Sequence, residues 1–183
     1  MLIEVIDSKN IKINGVLFIP AILESNNENK NKNNDNLIKL VTQFEGFFDK
    51  AYKCPAGVWT IGYGTTVYSN GQKVNPGETI TREQAYNEMN HELDEKRKGI
   101  LKYVKVPLSN NEEQALVSFA YNVGVGAFAG SSLLKKLNTG DKLATAKEFD
   151  KWVFGGGKKL RGLVRRRESE KRLFLGREDF LNV

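Results

Sequence analysis

The sequence predicts an α+β fold that is mostly helical and contains a small β-hairpin. From Leu37 to Phe47, apolar residues recur at spacings of three and four, which indicates an amphipathic helix. The segment Val58–Thr66 then carries the β-branched and aromatic residues of a strand, and the pair Asn70-Gly71 is typical of a tight hairpin turn. Helical patterns dominate the rest of the chain, so the strands are a minor part of the domain.

Two capping boxes predict where the helices after the hairpin begin. Thr81 with Gln84, and Ser109 with Glu112, have the spacing at which side chains and backbone of a first helical turn bond reciprocally. Later apolar residues at helical spacing predict further core-facing helices: Leu133, Leu134, Leu137, Leu143, Ala146, Phe149, Trp152, Leu163, Val164, Leu173 and Phe174. Within this helical region, the triplet Gly155–Gly157 predicts a flexible connection.

An Asn-rich segment divides the chain. Seven of the eleven residues from 26 to 36 are Asn and the others are Glu, Lys or Asp, a composition that cannot bury apolar area. We therefore expect an appendage over residues 1–24, a linker over residues 25–36 and the main domain over residues 37–183.

The appendage contains two strand-like runs, Leu2–Ile6 and Ile11–Ile19, around a candidate turn at Ser8–Asn10. This pattern predicts a β-hairpin. Because an isolated hairpin is marginally stable, we expect it to pack on the main domain or on a partner. Its function is left open.

The composition is that of an enzyme-sized domain. The chain has 183 residues, of which 40% are hydrophobic, enough to bury a core. Its apolar runs are too short to span a bilayer, and no signal-peptide pattern opens the sequence, so we expect synthesis in a cytoplasm.

The single cysteine, Cys54, excludes an internal disulfide, and the single histidine, His91, has no ligand-like neighbours. We expect no metal, no cofactor and a monomer.

Positive charge is concentrated near the end of the chain. The formal net charge is +6, whereas the segment from Lys151 to Arg177 holds ten basic and two acidic residues, a net charge of +8. Such a segment is expected to attract anionic polymers. Because no helix-turn-helix, zinc or RNA-reading signature accompanies it, we expect no specific nucleic acid partner.

The segment from Glu45 to Thr66, EGFFDKAYKCPAGVWTIGYGTT, holds a distinctive spacing. A Glu-Gly pair begins it, Cys54 follows Glu45 by nine positions, and Thr60 opens a T-I-G-x-G element fifteen positions after Glu45. Three further motifs follow in order: SFAYNVGVGAF (118–128), SSLLKKLN (131–138) and GLVRRRESE (162–170). Together these motifs resemble the phage-type lysozymes, glycoside hydrolase family 24, which include many phage endolysins. The resemblance covers roughly residues 37–175.

The resemblance implies a lysozyme-like fold with an active-site cleft between the helical lobe and the hairpin. It also implies inverting hydrolysis of the β-1,4 bond between N-acetylmuramic acid and N-acetylglucosamine in bacterial peptidoglycan. Glu45 is then the general acid, since such a reaction needs a proton donor for the leaving oxygen. Cys54 and Thr60 are expected to hold and activate the attacking water.

Cys54 departs from the family pattern, in which this position is usually a carboxylate. A thiolate is both a base and a strong nucleophile, so the substitution is compatible with catalysis. Whether Cys54 acts as base, electrostatic partner, covalent nucleophile or packing residue stays open.

Four residues stand where the family places substrate contacts: Thr66, Tyr121, Asn122 and Ser132. Structural alternatives are Tyr121 as a core residue, Asn122 as a helix-end group and Ser132 as a cap. By the same resemblance, one arginine of Arg165–Arg167 is expected to pair with Glu45.

Two other functions remain open at this stage. The chain could be a peptidoglycan-binding or virion-associated protein with a weakened active site, or a lytic transglycosylase that releases anhydromuramic products. An endolysin made in the host cytoplasm would act on the cell wall after its release. A virion-associated enzyme would act there on entry.

Overall fold

The computed structural model describes five parts of the chain: residues 3–7, 10–13, 16–18, 34–54 and 57–183. The chain divides into two compact units, Met1–Asp35 and Asn36–Val183.

The N-terminal unit contains a three-stranded antiparallel sheet. Its strands β1 (Ile3–Asp7), β2 (Asn10–Ile13) and β3 (Val16–Phe18) pair in the order β1-β2-β3. The sequence predicts a two-stranded hairpin here, and the difference arises because the second predicted run, Ile11–Ile19, is divided between β2 and β3.

The predicted turn and the predicted linker of this region lie partly outside the described residues and partly differ from the structure. In the predicted turn Ser8–Asn10, residues 8 and 9 lie outside the described residues, and Asn10 already belongs to β2. Most of the predicted linker, residues 25–33, also lies outside them, whereas residues 34–36 are helical rather than a linker. The limits of the appendage, linker and main domain stay a prediction.

Helix α1 covers residues 34–45, of which all but the first two belong to the C-terminal unit, and a β-hairpin follows it. Gly46 follows with φ at +70°, a left-handed conformation that ends the helix directly after Glu45. Phe47, which the periodicity predicts to be helical, therefore lies beyond the helix end. The hairpin pairs strand β4 (Phe48–Lys53) with strand β5 (Trp59–Gly62), which is shorter than the predicted strand Val58–Thr66.

Tight turns shape both ends of this subdomain. The Gly57 amide donates to the Cys54 carbonyl at 2.8 Å, and the Cys54 amide donates to the Val58 carbonyl at 2.9 Å. Pro55 and Ala56, between Cys54 and Gly57, lie outside the described residues. The Asn70-Gly71 turn is confirmed: Gly71 has φ at +87° and its amide donates to the Tyr68 carbonyl at 2.8 Å.

Helices form the rest of the unit, with one short hairpin among them. They are α2 (Arg82–Leu101), α3 (Asn110–Val123), α4 (Val125–Gly130), α5 (Ser132–Leu137), α6 (Lys142–Glu148), a 3₁₀ turn (Phe149–Lys151) and α7 (Arg161–Phe174). Both predicted capping boxes are confirmed, with Thr81 and Ser109 as the capping residues of α2 and α3.

The predicted flexible connection at Gly155–Gly157 is instead a tight hairpin. Strand β6 (Phe154–Gly155) pairs with strand β7 (Lys158–Lys159), and Gly156 and Gly157 both have positive φ in the turn between them. Two consecutive positive-φ residues are the requirement of a two-residue hairpin turn, which glycine meets without strain.

Two apolar cores hold the unit together. The larger one joins the helices and includes Leu40, Leu93, Leu116, Phe119, Phe149 and Leu173, whereas the smaller one lies under the hairpin and includes Ile61, Val74, Ile80 and Ala85. The hairpin approaches α2 closely, because a Cβ added at Gly62 would lie 2.9 Å from the Ala85 Cβ. The predicted α+β fold, mostly helical with a small hairpin subdomain, is confirmed, and Glu45 lies where α1 meets the hairpin.

Candidate active site

Glu45 is the last residue of α1, and one of its two carboxyl oxygens is fixed by a buried arginine. The Arg166 Nη1 donates to Glu45 Oε1 at 2.5 Å, from α7 and 121 residues further along the chain. The Arg166 side chain is 4% exposed, whereas that of Glu45 is 21% exposed. The Glu45 carboxyl therefore reaches solvent, while its Oε1 is bonded to a buried guanidinium group that water cannot displace easily.

The second oxygen of Glu45 faces the backbone of the T-I-G-x-G element. A Cβ added at Gly64 would lie 3.5 Å from Glu45 Oε2 and 3.6 Å from the Tyr121 hydroxyl oxygen, and Gly64 has φ at +105°. Glycine at this position thus lets the hairpin backbone pass close to the carboxyl in a conformation that other residues rarely adopt.

Tyr121 joins α3 to the hairpin. Its hydroxyl donates to the Tyr63 carbonyl at 2.8 Å. Burial raises the pKa of Tyr121 strongly, and the negative charges of Glu92 and Glu45 raise it further. The hydroxyl therefore keeps its proton and its bond to the hairpin. The ring packs against the larger core, in agreement with the structural alternative of Tyr121 as a core residue. Substrate contact by Tyr121 stays a prediction.

A fully buried carboxylate, Glu170, organises the arginines behind Glu45. It accepts hydrogen bonds from three side chains: Arg166 Nε at 3.2 Å, Arg167 Nη2 at 3.0 Å and Ser118 Oγ at 2.8 Å. Arg167 Nε also lies 2.8 Å from Glu170 Oε2. A single carboxylate on α7 thus holds two guanidinium groups in place.

Each of these guanidinium groups in turn holds one predicted site residue. Arg166 bonds Glu45, and Arg167 Nη2 donates to the Asn122 side-chain oxygen at 3.1 Å. Burial acts to lower the pKa of both arginines, but for Arg166 the charges of Glu170 and Glu45 outweigh it and raise the pKa. The expected pairing of Glu45 with one arginine of Arg165–Arg167 is therefore present, and Arg166 is that arginine.

Cys54 and Thr60 lie on the hairpin side of the site. Cys54 follows β4 directly and is half-buried, and Thr60 lies in β5 opposite Tyr52. Thr60 is buried and its hydroxyl donates to the Val58 carbonyl at 3.1 Å, which leaves its oxygen available as an acceptor. Burial raises the pKa of Tyr52, and the negative charges of Glu45 and Cys54 add to this.

A groove borders Glu45 on the side of the helical lobe. Its cavity volume is about 360 Å³, and it is lined by Phe44, Glu45, Asn122, Leu160, Gly162, Leu163 and Arg166. Asn122 thus lies in the same groove as Glu45, although it is also in the last turn of α3. The volume falls within the range of small-molecule sites.

Ser132 and Thr66 have other surroundings. Ser132 is exposed at the start of α5 and its hydroxyl donates to Glu148, while the helix is capped by Ser131, whose hydroxyl accepts from the Leu134 amide at 3.0 Å. The structural alternative of Ser132 as a cap is therefore wrong. Thr66 is half-buried and its carbonyl accepts from the Val74 amide at 3.0 Å. Substrate contacts by Ser132 and Thr66 stay predictions.

The sequence predictions give no role to Tyr52 or Glu170, and they include Gly64 only as the last glycine of the T-I-G-x-G element. Glu170 follows Arg166 and Arg167 by four and three positions, a spacing at which helical side chains meet, and this was the available signal. Tyr52 precedes Cys54 by two positions, so its place in the motif was the available signal.

A model of the phage lysozyme family matches residues 42–170, most of the chain. The chain belongs to the phage lysozyme family. It is 41% identical over 139 residues to the endolysin of Acyrthosiphon pisum secondary endosymbiont phage 1, a match that covers 74% of this chain and 92% of that protein.

Two further comparisons agree with this family. The endolysin of Bacillus phage B103 is 44% identical over 140 residues, which are 75% of this chain but 52% of that protein, so the chain spans about half of that relative's length. The muramidase domain of SpmX from Asticaccaulis excentricus superposes with a TM-score of 0.68 at 34% identity, covering 76% of this chain and 94% of that one.

As a phage lysozyme, the chain is a peptidoglycan hydrolase of the glycosidase type. Within the described part of the chain, none of the helices combines the length and apolar character needed to cross a bilayer. Among residues 34–54 and 57–183, no cluster of three or more His, Cys, Asp and Glu side chains could hold a metal ion.

Replacing Glu170 with glutamine is expected to destabilise the fold and disorder the site. Glu170→Gln keeps the shape but leaves two buried arginines short of a negative charge, which should cost about 3–5 kcal/mol of unfolding free energy. Urea unfolding measures this loss. Glu168→Gln is the matched control on the same helix: Glu168 is 32% exposed and pairs with Lys171 and Arg172, so its loss should cost about 1 kcal/mol or less. Equal losses in both variants would contradict the role of Glu170.

Proposed function

We propose that this phage lysozyme is a muramidase that cleaves the β-1,4 bond between N-acetylmuramic acid and N-acetylglucosamine, with Glu45 as the general acid. The observation that supports the proposal is the asymmetric setting of the Glu45 carboxyl. One oxygen is bonded to Arg166 and the other lies beside Gly64, while Glu45 itself lines a groove.

This setting suits directed proton donation. Because Arg166 occupies Oε1, the proton of the acid form belongs on Oε2, the oxygen that faces the hairpin. A glycosidic oxygen bound there would receive the proton as the bond to the anomeric carbon breaks. Arg166 fixes the rotamer of Glu45 and is a positioning residue in this scheme.

The attacking water is assigned to the hairpin side. The Thr60 hydroxyl already donates to the Val58 carbonyl, so towards a water molecule it can only accept a hydrogen bond. A water molecule that donates one hydrogen to the Thr60 oxygen keeps a lone pair for attack on the anomeric carbon. Cys54, as a thiolate, would remove the second proton of this water. Attack on the face opposite the leaving group inverts the anomeric configuration.

The names of similar proteins support peptidoglycan as the substrate and the cell wall as the place of action. Two of the similar proteins are named endolysins and one similar structure is named a muramidase domain. By this similarity, we place the action of the chain at the bacterial cell wall and its role in host lysis.

Digestion of purified peptidoglycan sacculi tests the reaction. The wild-type protein should release muropeptides that end in N-acetylmuramic acid with a free reducing end. NMR of the first products should show this sugar as the α-anomer. Glu45→Gln should lower the rate about a hundredfold or more, since the variant cannot donate the proton. Asp49→Asn is the matched control, because Asp49 is an exposed carboxylate on β4 only four positions away, and it should keep full activity.

The other outcomes identify the rival functions. Anhydromuramic ends detected by mass spectrometry would make the chain a lytic transglycosylase. Binding to sacculi without any release of reducing ends would make it a binding or virion-associated protein. Full activity of Glu45→Gln would refute Glu45 as the acid.

Variants of Cys54 test its part in the reaction. Cys54→Asp should retain lytic activity, because a carboxylate can also accept the proton of the water, whereas Cys54→Ala should lose most of it, about a hundredfold. Reducing-end release at saturating substrate measures both. Equal rates for wild type and Cys54→Ala would reduce Cys54 to a packing residue. A β-anomer as first product would indicate a covalent bond to Cys54 instead of direct attack by water.

We also propose that part of the basic C-terminal segment attracts anionic polymers of the cell envelope. Most of its cations are already paired: Lys151 with Glu148, Arg166 and Arg167 with Glu170, Lys171 with Asp150, Arg172 with Glu168 and Arg177 with Asp179. Among the described residues, Lys158, Lys159 and Arg161 are exposed and have no acidic partner. They lie on either side of Leu160, which lines the groove beside Glu45.

Neutralising the two lysines of β7 should weaken binding to the wall. Lys158→Gln with Lys159→Gln is expected to lower retention on polymer-bearing sacculi severalfold at low salt, and the difference should vanish at high salt because the attraction is screened. Co-sedimentation over a salt series measures retention. Lys135→Gln with Lys136→Gln, two exposed lysines of α5, removes the same charge elsewhere. Equal losses in the two pairs would show that only net charge matters.

A further inference from the structure

Two aromatic side chains form an exposed pair on strand β4. The ring centroids of Phe48 and Tyr52 are 4.4 Å apart with an interplanar angle of 41°. Phe48 is 45% exposed, although it is a large apolar residue in a short hairpin. The packing of the domain does not explain this exposed phenylalanine.

Phe48 lies against the end of the helix that carries the acid. A Cβ added at Gly46 would be 3.7 Å from Phe48 Cε2, so the ring covers the residue directly after Glu45. The pair therefore begins at the C-terminal end of α1.

Tyr52 extends the pair to the other catalytic groups. It is the cross-strand partner of Thr60, so these two side chains share one face of the hairpin, and Cys54 follows it by two positions, directly after the strand ends. The raised pKa of Tyr52 has burial as its first cause and the charges of Glu45 and Cys54 as the next ones, which agrees with this geometry.

The opposite face of the hairpin supplies the packing that the fold needs. Phe47, Ala51 and Trp59 pack against the small core around Ile61, and the Phe47 ring lies 5.5 Å from the Tyr63 ring. The face with Phe48 and Tyr52 is thus free of a core role and is continuous with the site.

We propose that Phe48 and Tyr52 form a binding platform for a sugar ring of the glycan strand, next to the bond that Glu45 cleaves. An aromatic ring suits the apolar C–H face of a pyranose, and the Tyr52 hydroxyl can bond a sugar hydroxyl or N-acetyl group at its edge. The platform rests on the proposed muramidase function. It assigns binding, rather than chemistry, to both residues.

Kinetics on peptide-free glycan strands test the platform. Phe48→Ala should raise KM about three- to tenfold, the size of one aromatic contact, and leave kcat within about twofold. Phe48→Trp should keep the wild-type KM because it restores an aromatic face. Tyr103→Ala is the matched control, since Tyr103 is 44% exposed and lies in the loop after α2, and it should leave both constants unchanged.

The alternative is that the pair only stabilises the hairpin. Thermal unfolding of each variant separates the two roles, and Phe48→Leu keeps the apolar bulk while it removes the aromatic face. The platform requires Phe48→Leu to raise KM at an unchanged Tm. An unchanged KM in Phe48→Leu, or the same rise in Tyr103→Ala, would overturn it.

Binding measured without turnover keeps this test apart from the muramidase proposal. Glu45→Gln protein should bind the glycan strands in calorimetry, and adding Phe48→Leu should weaken that binding by the same factor as the KM change. If wild-type protein releases no reducing ends, the muramidase proposal fails, and the binding measurement still decides the platform. If turnover is normal and binding is unaffected, the platform alone is wrong.

Discussion

The carboxylate of Glu170 is the contact on which the active site depends. Two guanidinium groups are buried beside it, and buried charges are tolerated only when they are paired and hydrogen-bonded. Arg166 and Arg167 then project to Glu45 and Asn122, which are exposed to the groove. The helical core thus orients polar groups at its surface through one internal cluster of charges.

The hairpin contributes a different constraint: its backbone passes close to side chains of the helices. Gly64 passes beside the Glu45 carboxyl, and Gly62 sits against Ala85 of α2. Together with the bond from Tyr121 to the Tyr63 carbonyl, these contacts fix the hairpin against the helices. One face of β4 and β5 then packs inward, so the other face is left to present side chains to the site.

Local signals in the sequence predict the elements, whereas contacts distant in sequence are harder to predict. The capping residues Thr81 and Ser109 and the Asn70-Gly71 turn act within three or four positions, and the structure contains all of them. Strands of two residues, such as β6 and β7, are too short to show any alternation. The burial of Glu170 is equally hidden, because the exposed Glu168 on the same helix belongs to the same residue type.

The placement of Arg166 on the last long helix has a consequence for biosynthesis. Its contact with Glu45 spans 121 positions, and Glu170 lies further still towards the C-terminus. A ribosome that has translated the first two thirds of the message therefore carries a nascent chain in which Glu45 still lacks its arginine partner. A C-terminally truncated product without α7 likewise leaves the proposed acid without the contact that orients its carboxyl.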